Sequence, residues 1–229
     1  MTKVAVSWSG GKDSCLACYK ALQNGLEVSC LLNFITKDGR CASHGLNSKL
    51  IAAQSQVIGI PIIQKEVTWD VYEEEFKTAA RKLKEGGVDG IVFGDIDISE
   101  HLDWVVRVCN EVGILYMEPL WHLNRKQILE EFINAGFKAI VINIKAEIFG
   151  VEWLGRVVDE TFIEDLQKLQ SHHTFDICGE FGEYHTFVID GPIFKKRINL
   201  LNSKKVLRED HDKRWILEVF SYSLEDKKP

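Results

Sequence analysis

The run Lys3-Val4-Ala5-Val6-Ser7-Trp8-Ser9-Gly10-Gly11-Lys12-Asp13-Ser14 decides the fold. A short apolar strand feeds a Ser-Gly-Gly-Lys-Asp-Ser turn, and a helix is expected near 13–24. Such a turn cradles anions. Its two glycines let an anion approach main-chain N–H groups, and the helix start adds unpaired donors and the positive end of its dipole. The hydroxyls of Ser7, Ser9 and Ser14 and the ammonium of Lys12 add further donors. A Walker A loop is excluded, since Val6 stands where its first glycine belongs and Asp13 follows the lysine. A Gly-x-Gly-x-x-Gly fingerprint fails as well, because the next glycine after Gly11 is Gly25.

Outward from this turn, strands alternate with helices. Strands are expected at 3–8, 27–34, 61–66, 90–93, 114–117 and 138–144, with helices near 13–24, 48–58, 72–85, 99–111 and 125–134. Continuous apolar strands between helices predict a parallel sheet covered on both faces, a doubly wound, Rossmann-like α/β domain over residues 1–146. Ligands bind such sheets at the carboxyl ends of strands, which brings Phe34 and the Gly94-Asp95 pair toward the nucleotide together with the turn. After about residue 147 a helix near 159–170 and alternating segments at 184–190, 195–201, 204–208 and 214–222 predict a smaller α+β domain over 147–229.

Composition sets the outer limits. In 229 residues, 45% hydrophobic and 27% charged, a sizeable core is available. A net charge of -6 without basic runs among aromatics argues against a broad nucleic-acid-binding face. No apolar stretch is long enough to span a bilayer and the N-terminus enters a strand directly, so no membrane role and a cytoplasmic location are expected. The six cysteines lack secretory spacing and should be thiols. Cys15 and Cys18 read either as small apolar residues on one helical face or as a sulfur-handling pair, and no second C-x-x-C completes a metal site. His172, His173 and His185 lack zinc-ligand spacing, while His44 lies in a polar loop within reach of a ligand.

The second informative stretch is Asp176-Ile177-Cys178-Gly179-Glu180-Phe181-Gly182-Glu183-Tyr184-His185-Thr186-Phe187. Glu180 and Glu183, three residues apart around a glycine, suit a magnesium-bound phosphate, an ammonium ion or base catalysis; a solvated hairpin entry is the plainer alternative. Asp95 has two readings as well. It orients ribose, metal or ammonia, or it caps the helix near 99–111.

The Ser-Gly-Gly-Lys-Asp-Ser turn resembles the pyrophosphate loop of the adenine-nucleotide hydrolase-like superfamily, a HUP-type fold whose members split ATP between its α and β phosphates. Combined with Cys178 to Phe187, and with Gly94-Asp95-Ile96, Pro119-Leu120-Trp121 and Leu154-Gly155-Arg156 between, the chain resembles the diphthine-ammonia ligase family over nearly its full length. The resemblance implies amidation of diphthine on translation elongation factor 2 by ammonium, through an acyl-adenylate, with ATP and Mg2+ consumed or bound and AMP and pyrophosphate released. Carried onto this chain, Ser7, Ser9, Gly10, Gly11, Lys12, Asp13 and Ser14 would hold the phosphates, with Lys12 and Asp13 catalytic and Asp13 the candidate metal ligand. Glu180 and Glu183 would line the ammonia and diphthine pocket. Two other functions use the same loop. One is a tRNA-modifying thiolase or ligase carrying sulfur on Cys15, Cys18 or Cys178, and the other is a nucleotide-sensing module. Oligomeric state is not set by the sequence, although C-terminal hairpins offer edges for pairing between subunits, as in a homo-oligomer.

Overall fold

A computed structural model describes residues 1–209 and 212–227. Five parallel strands form the first sheet: β1 (Lys3–Ser7), β2 (Glu27–Ile35), β3 (Ile62–Glu66), β4 (Gly90–Val92) and β5 (Leu115–Met117), in the order β3-β2-β1-β4-β5. Val4, Ala5 and Val6 of β1 are fully buried, as a central strand covered on both faces requires. The strand order reverses between β1 and β4, so the switch point lies where the Ser-Gly-Gly-Lys-Asp-Ser turn leaves the sheet. The connecting helices are α1 (Lys12–Gln23), α2 (Ser48–Ile58), α3 (Tyr72–Glu85) and α4 (Ser99–Val112). Asn47 starts α2 by accepting from the Lys49 N–H, and the left-handed Gly59 ends it. This agrees with the doubly wound fold read from the sequence.

The second sheet is antiparallel and corrects one strand of that reading. It contains β6 (Lys138–Lys145), β7 (Tyr184–Asp190), β8 (Lys196–Glu209) and β9 (Lys213–Asp226), in the order β7-β6-β9-β8. The strand expected at 138–144 in the parallel sheet is therefore β6, paired antiparallel to β7 and β9. Helices α5 (Arg125–Asn134) and α6 (Glu160–Gln170) complete this part, capped by Asn124 and Asp159.

By contact density the chain forms two compact units, and the division falls after His122, upstream of the expected boundary at 146. The first comprises residues 1–9 and 13–122, and the second Gly10–Lys12 with 123–229. Three residues at the tip of the Ser-Gly-Gly-Lys-Asp-Ser turn thus belong to the C-terminal unit.

Candidate active site

In the first unit, the turn is braced from below. Asn33 Nδ2 donates to the Trp8 carbonyl at 2.8 Å and Trp8 Nε1 to Gln54 Oε1 at 3.0 Å. Ser7 closes β1, and Ser9 Oγ donates to Ser14 Oγ at 3.1 Å, drawing the two ends of the turn together. Asp13 lies in the first turn of α1. Gly94 is required by space: a Cβ there would lie 2.9 Å from the Asp13 carbonyl carbon and 3.0 Å from the Ser14 nitrogen. The start of α1 therefore packs directly onto the backbone at the end of β4.

Asp95 follows Gly94 and does not cap α4, whose N-cap is Ile98 without a side-chain bond. Its Oδ1 lies 2.9 Å from His101 Nδ1 instead. Phe34 departs from its expected role at the nucleotide. Its ring is buried, 5.0 Å from Tyr72 and 5.8 Å from Phe76, and serves the core.

One carboxylate of this unit escaped the sequence reading. Glu118 follows β5, and both its carboxylate oxygens are sealed from solvent with no hydrogen-bond partner among the described residues. Burial, with Asp95 nearby, pushes its acid up to about 7, against a smaller opposing pull from His101.

In the second unit, the tip of the turn is fixed by β7. The Val188 N–H donates to the Gly10 carbonyl at 3.0 Å, the Lys12 N–H to Thr186 Oγ1 at 3.0 Å, and Lys12 Nζ to the Cys178 carbonyl at 2.5 Å. Gly10 has φ +78°, a left-handed conformation that favours glycine, and Gly11 follows it into the helix. Lys12 is buried, with its ammonium 5.4 Å from the centre of the Tyr184 ring.

The segment 176–183 is organised by its own acids. Asp176 accepts from the N–H groups of Cys178 (2.9 Å) and Glu180 (2.8 Å) and pairs with Arg125 at 3.1 Å. Glu183 Oε1 accepts from the Asp176 N–H at 2.8 Å, while buried Oε2 has no hydrogen-bond partner among the described residues. Arg125, the first residue of α5, also lies over the Phe181 ring and accepts at its carbonyl from Cys178 Sγ at 3.0 Å. Sequence reading quoted Asp176 without giving it a role and missed Arg125, because a lone arginine at a helix start gives no local signal.

The three cysteines weighed for sulfur transfer, Cys15, Cys18 and Cys178, are buried thiols, none in a disulfide. Burial raises Cys15 well above the ordinary thiol range and Cys18 to about 12, while Cys178 is buried and donates its S–H to a carbonyl.

Residues 2–116 match the family model described as the diphthamide synthase N-terminal domain, and residues 124–223 match its C-terminal domain. The chain belongs to the diphthamide synthase family. Within that family, a Bos taurus protein named diphthine–ammonia ligase is 28% identical, covering 92% of this chain and 86% of its own. A Homo sapiens protein of the same name is 28% identical over 90% of this chain and 85% of that protein. The Schizosaccharomyces pombe relative is longer; 28% identity there spans 92% of this chain and 38% of that protein. A solved chain described as a predicted subunit of tRNA methyltransferase from Methanocaldococcus jannaschii aligns at TM-score 0.47 and 16% identity, covering 83% of this chain and 98% of that one, too weakly to bear on function. Both diphthamide synthase matches fall on parts described above, the first carrying the Ser-Gly-Gly-Lys-Asp-Ser turn and the second Glu180 and Glu183. No helix among the described residues is long and apolar enough to cross a membrane.

Proposed function

We propose that this chain is a carbon–nitrogen ligase that amidates diphthine on translation elongation factor 2 with ammonium, using ATP and releasing AMP and pyrophosphate through an acyl-adenylate. One observation carries the reading. The Ser-Gly-Gly-Lys-Asp-Ser turn leaves the central strand at the switch point, with the α1 N-terminus set against Gly94.

A carboxylate acylates poorly because its leaving group would be oxide; joined to AMP, that oxygen becomes a good leaving group that ammonia displaces. The chain's task in the first half is to stabilise charge on the departing phosphates. The α1 N-terminus and the Lys12 ammonium supply this, the largest catalytic contribution expected in such chemistry. Ser7, Ser9 and Ser14 add hydroxyl donors, and Gly10 and Gly11 keep the turn free of side chains. Magnesium, when bound, would neutralise phosphate charge. Asp13 with the paired Ser9 and Ser14 hydroxyls suits that ion, which takes one or two carboxylates and otherwise phosphate and water oxygens.

In the second half, Glu180 and Glu183 serve the ammonium and diphthine side. The buried Oε2 of Glu183 is an acceptor that a cationic or N–H donor would satisfy. Because the Lys12 ammonium bonds the Cys178 carbonyl, the residue that meets phosphate charge also positions the segment carrying both acids.

The test uses ATP, magnesium, ammonium and diphthine-bearing elongation factor 2. The wild-type chain should release AMP and pyrophosphate in step with amide, and Lys12→Ala should lower that release by about 100-fold or more. ADP with orthophosphate, or unchanged release from Lys12→Ala, would overturn the proposal.

A further inference from the structure

Asp176 opens the segment that carries Glu180 and Glu183, and it is bonded toward both. Its own N–H donates to Glu183 Oε1 at 2.8 Å, which fixes how that carboxylate is turned. Its Oδ2 accepts from the Glu180 N–H at 2.8 Å and its Oδ1 from the Cys178 N–H at 2.9 Å, so the point where the Glu180 side chain leaves the backbone is fixed too. The Asp176 side chain is only 1% exposed, and a carboxylate so buried has to be answered by protein groups. Arg125 answers it. Nη1 lies 3.1 Å from Asp176 Oδ1, and the guanidinium is 5.4 Å from the centre of the Phe181 ring.

Other residues hold the carbonyl side of the same segment. Lys12 Nζ, Lys145 Nζ and Arg214 Nη2 donate to the carbonyls of Cys178, Phe181 and Gly182, at 2.5, 3.1 and 2.8 Å. The Lys145 N–H also donates to the Glu183 carbonyl at 2.8 Å, so β6 holds the far end. The course of the backbone is therefore set by these three cations and β6, while Asp176 gathers two N–H groups and one glutamate. Both glutamates thus share one reference point, and through Cys178 it is joined to Lys12. Of the two co-substrates assigned to this segment, ammonium is a cation and the acceptor carboxylate an anion. Two glutamates suit the cation, and Glu180 is partly exposed to receive it.

We infer that Asp176, held by Arg125, is a positioning residue for the amidation half of the reaction, setting Glu180 and Glu183 as one unit to take up ammonium. This rests on the ligase reading above. Neither Asp176 nor Arg125 touches reacting atoms in this role; each acts through the glutamates. Arg125 has a second effect, because a guanidinium on Asp176 answers that charge within the protein, so an incoming cation is directed to the glutamates and not to Asp176. The planar fork suits the task better than a lysine would, since it bonds the carboxylate at its edge while its flat face lies over Phe181.

The experiment compares full-length wild type, Asp176→Asn and Arg125→Lys with ATP, magnesium, ammonium and diphthine-bearing elongation factor 2. Amide and pyrophosphate are measured while each co-substrate is varied in turn. Asparagine keeps the shape of Asp176 but puts an NH2 group where one carboxylate oxygen was, so a donor on that side loses its acceptor. The expected result for Asp176→Asn is a KM for ammonium raised about tenfold or more, with kcat at saturating ammonium within about threefold of wild type. Its KM for ATP should stay within about threefold, because Thr186 and Val188 of β7 also fix the tip of the turn. Arg125→Lys keeps the charge and loses the fork, and should show the same split with a rise of about threefold or more. A merely structural role would not produce this split, since a loosened fold weakens ATP and ammonium alike and is not made good by more ammonium. An unchanged KM for ammonium, a rise shared with ATP, or a rise confined to the protein substrate would overturn the positioning role and leave the ligase reading standing. Should circular dichroism show Asp176→Asn unfolded, Arg125→Lys decides: the split upholds the role and its absence overturns it. If wild type releases no pyrophosphate, the ligase reading falls and takes this inference with it.

Discussion

At the scale of single residues, the seating of α1 depends on Gly94 having no side chain. In Gly94→Ala the added methyl would press on the backbone of Asp13 and Ser14, which cannot swing aside as a side chain does. The expected cost is about 1–3 kcal/mol of stability, with weakened ATP binding, read by thermal denaturation and calorimetry. Glu118 makes the opposite prediction. A carboxylic acid raised in the folded state binds its proton more tightly there than in the unfolded chain, so stability declines as pH rises from about 4.3 to about 7. Glu118→Gln should therefore melt higher than wild type at pH 8 and not at pH 4. Much of this residue-level picture was legible: the turn announces itself through its two glycines, lysine and serines. Glu118 was not, because an isolated acid before a proline looks like any strand end, and only the sheet order brings it beside the Gly94-Asp95 strand. Asp95 was ambiguous for a related reason. Orienting a ligand and capping a helix both need an acid near a helix start; the structure removes the cap, since α4 starts after Ile98, and sets Asp95 against His101 instead.

Among the elements, α3 and α4 are joined by charge. Lys77, its side chain only 7% exposed, meets Glu73 at 2.7 Å and Glu111 at 2.6 Å, and Arg107 meets Glu73 at 2.6 Å. Hydrogen bonds from Arg107 and Lys77 hold Glu73 well below the usual carboxylate range, and Lys77 holds Glu111 low as well. Acids lowered in this way stabilise the fold above their unfolded value of about 4.3, and that contribution is lost as pH falls through the lowered values. Glu73→Gln should accordingly lower the melting temperature by on the order of 2–4 °C at pH 7 and show a shallower decline than wild type between pH 5 and 2. The elements themselves were largely foreseen, since α3 begins and ends where its periodicity says. The strand β6 shows where that reasoning stops. Residues 139–144 are all buried because β6 lies inside its sheet, and a largely apolar run, interrupted only by Asn143, reports burial on both faces without reporting strand direction. The segments expected at 195–201 and 204–208 proved to be one strand, β8. Its register with β9 shifts around Asn202, and a bulge breaks alternation as a turn would.

For the whole molecule, the decisive feature is that Gly10–Lys12 belong with the C-terminal unit. A chain ending after His122 retains every strand of the parallel sheet but loses Val188, Thr186 and Cys178, which fix the tip of the turn. Such a truncation should keep helical and sheet circular dichroism yet bind ATP at least about tenfold more weakly than the full chain, measured by calorimetry. Sequence patterns could not reveal this, because the partners of the turn lie more than 160 residues downstream. It also bears on how the gene can change. A hybrid joining one relative's first 122 residues to another's remainder would have to preserve the fit between a tripeptide inherited from one parent and anchors inherited from the other, so the two halves should descend together and resist exchange by recombination.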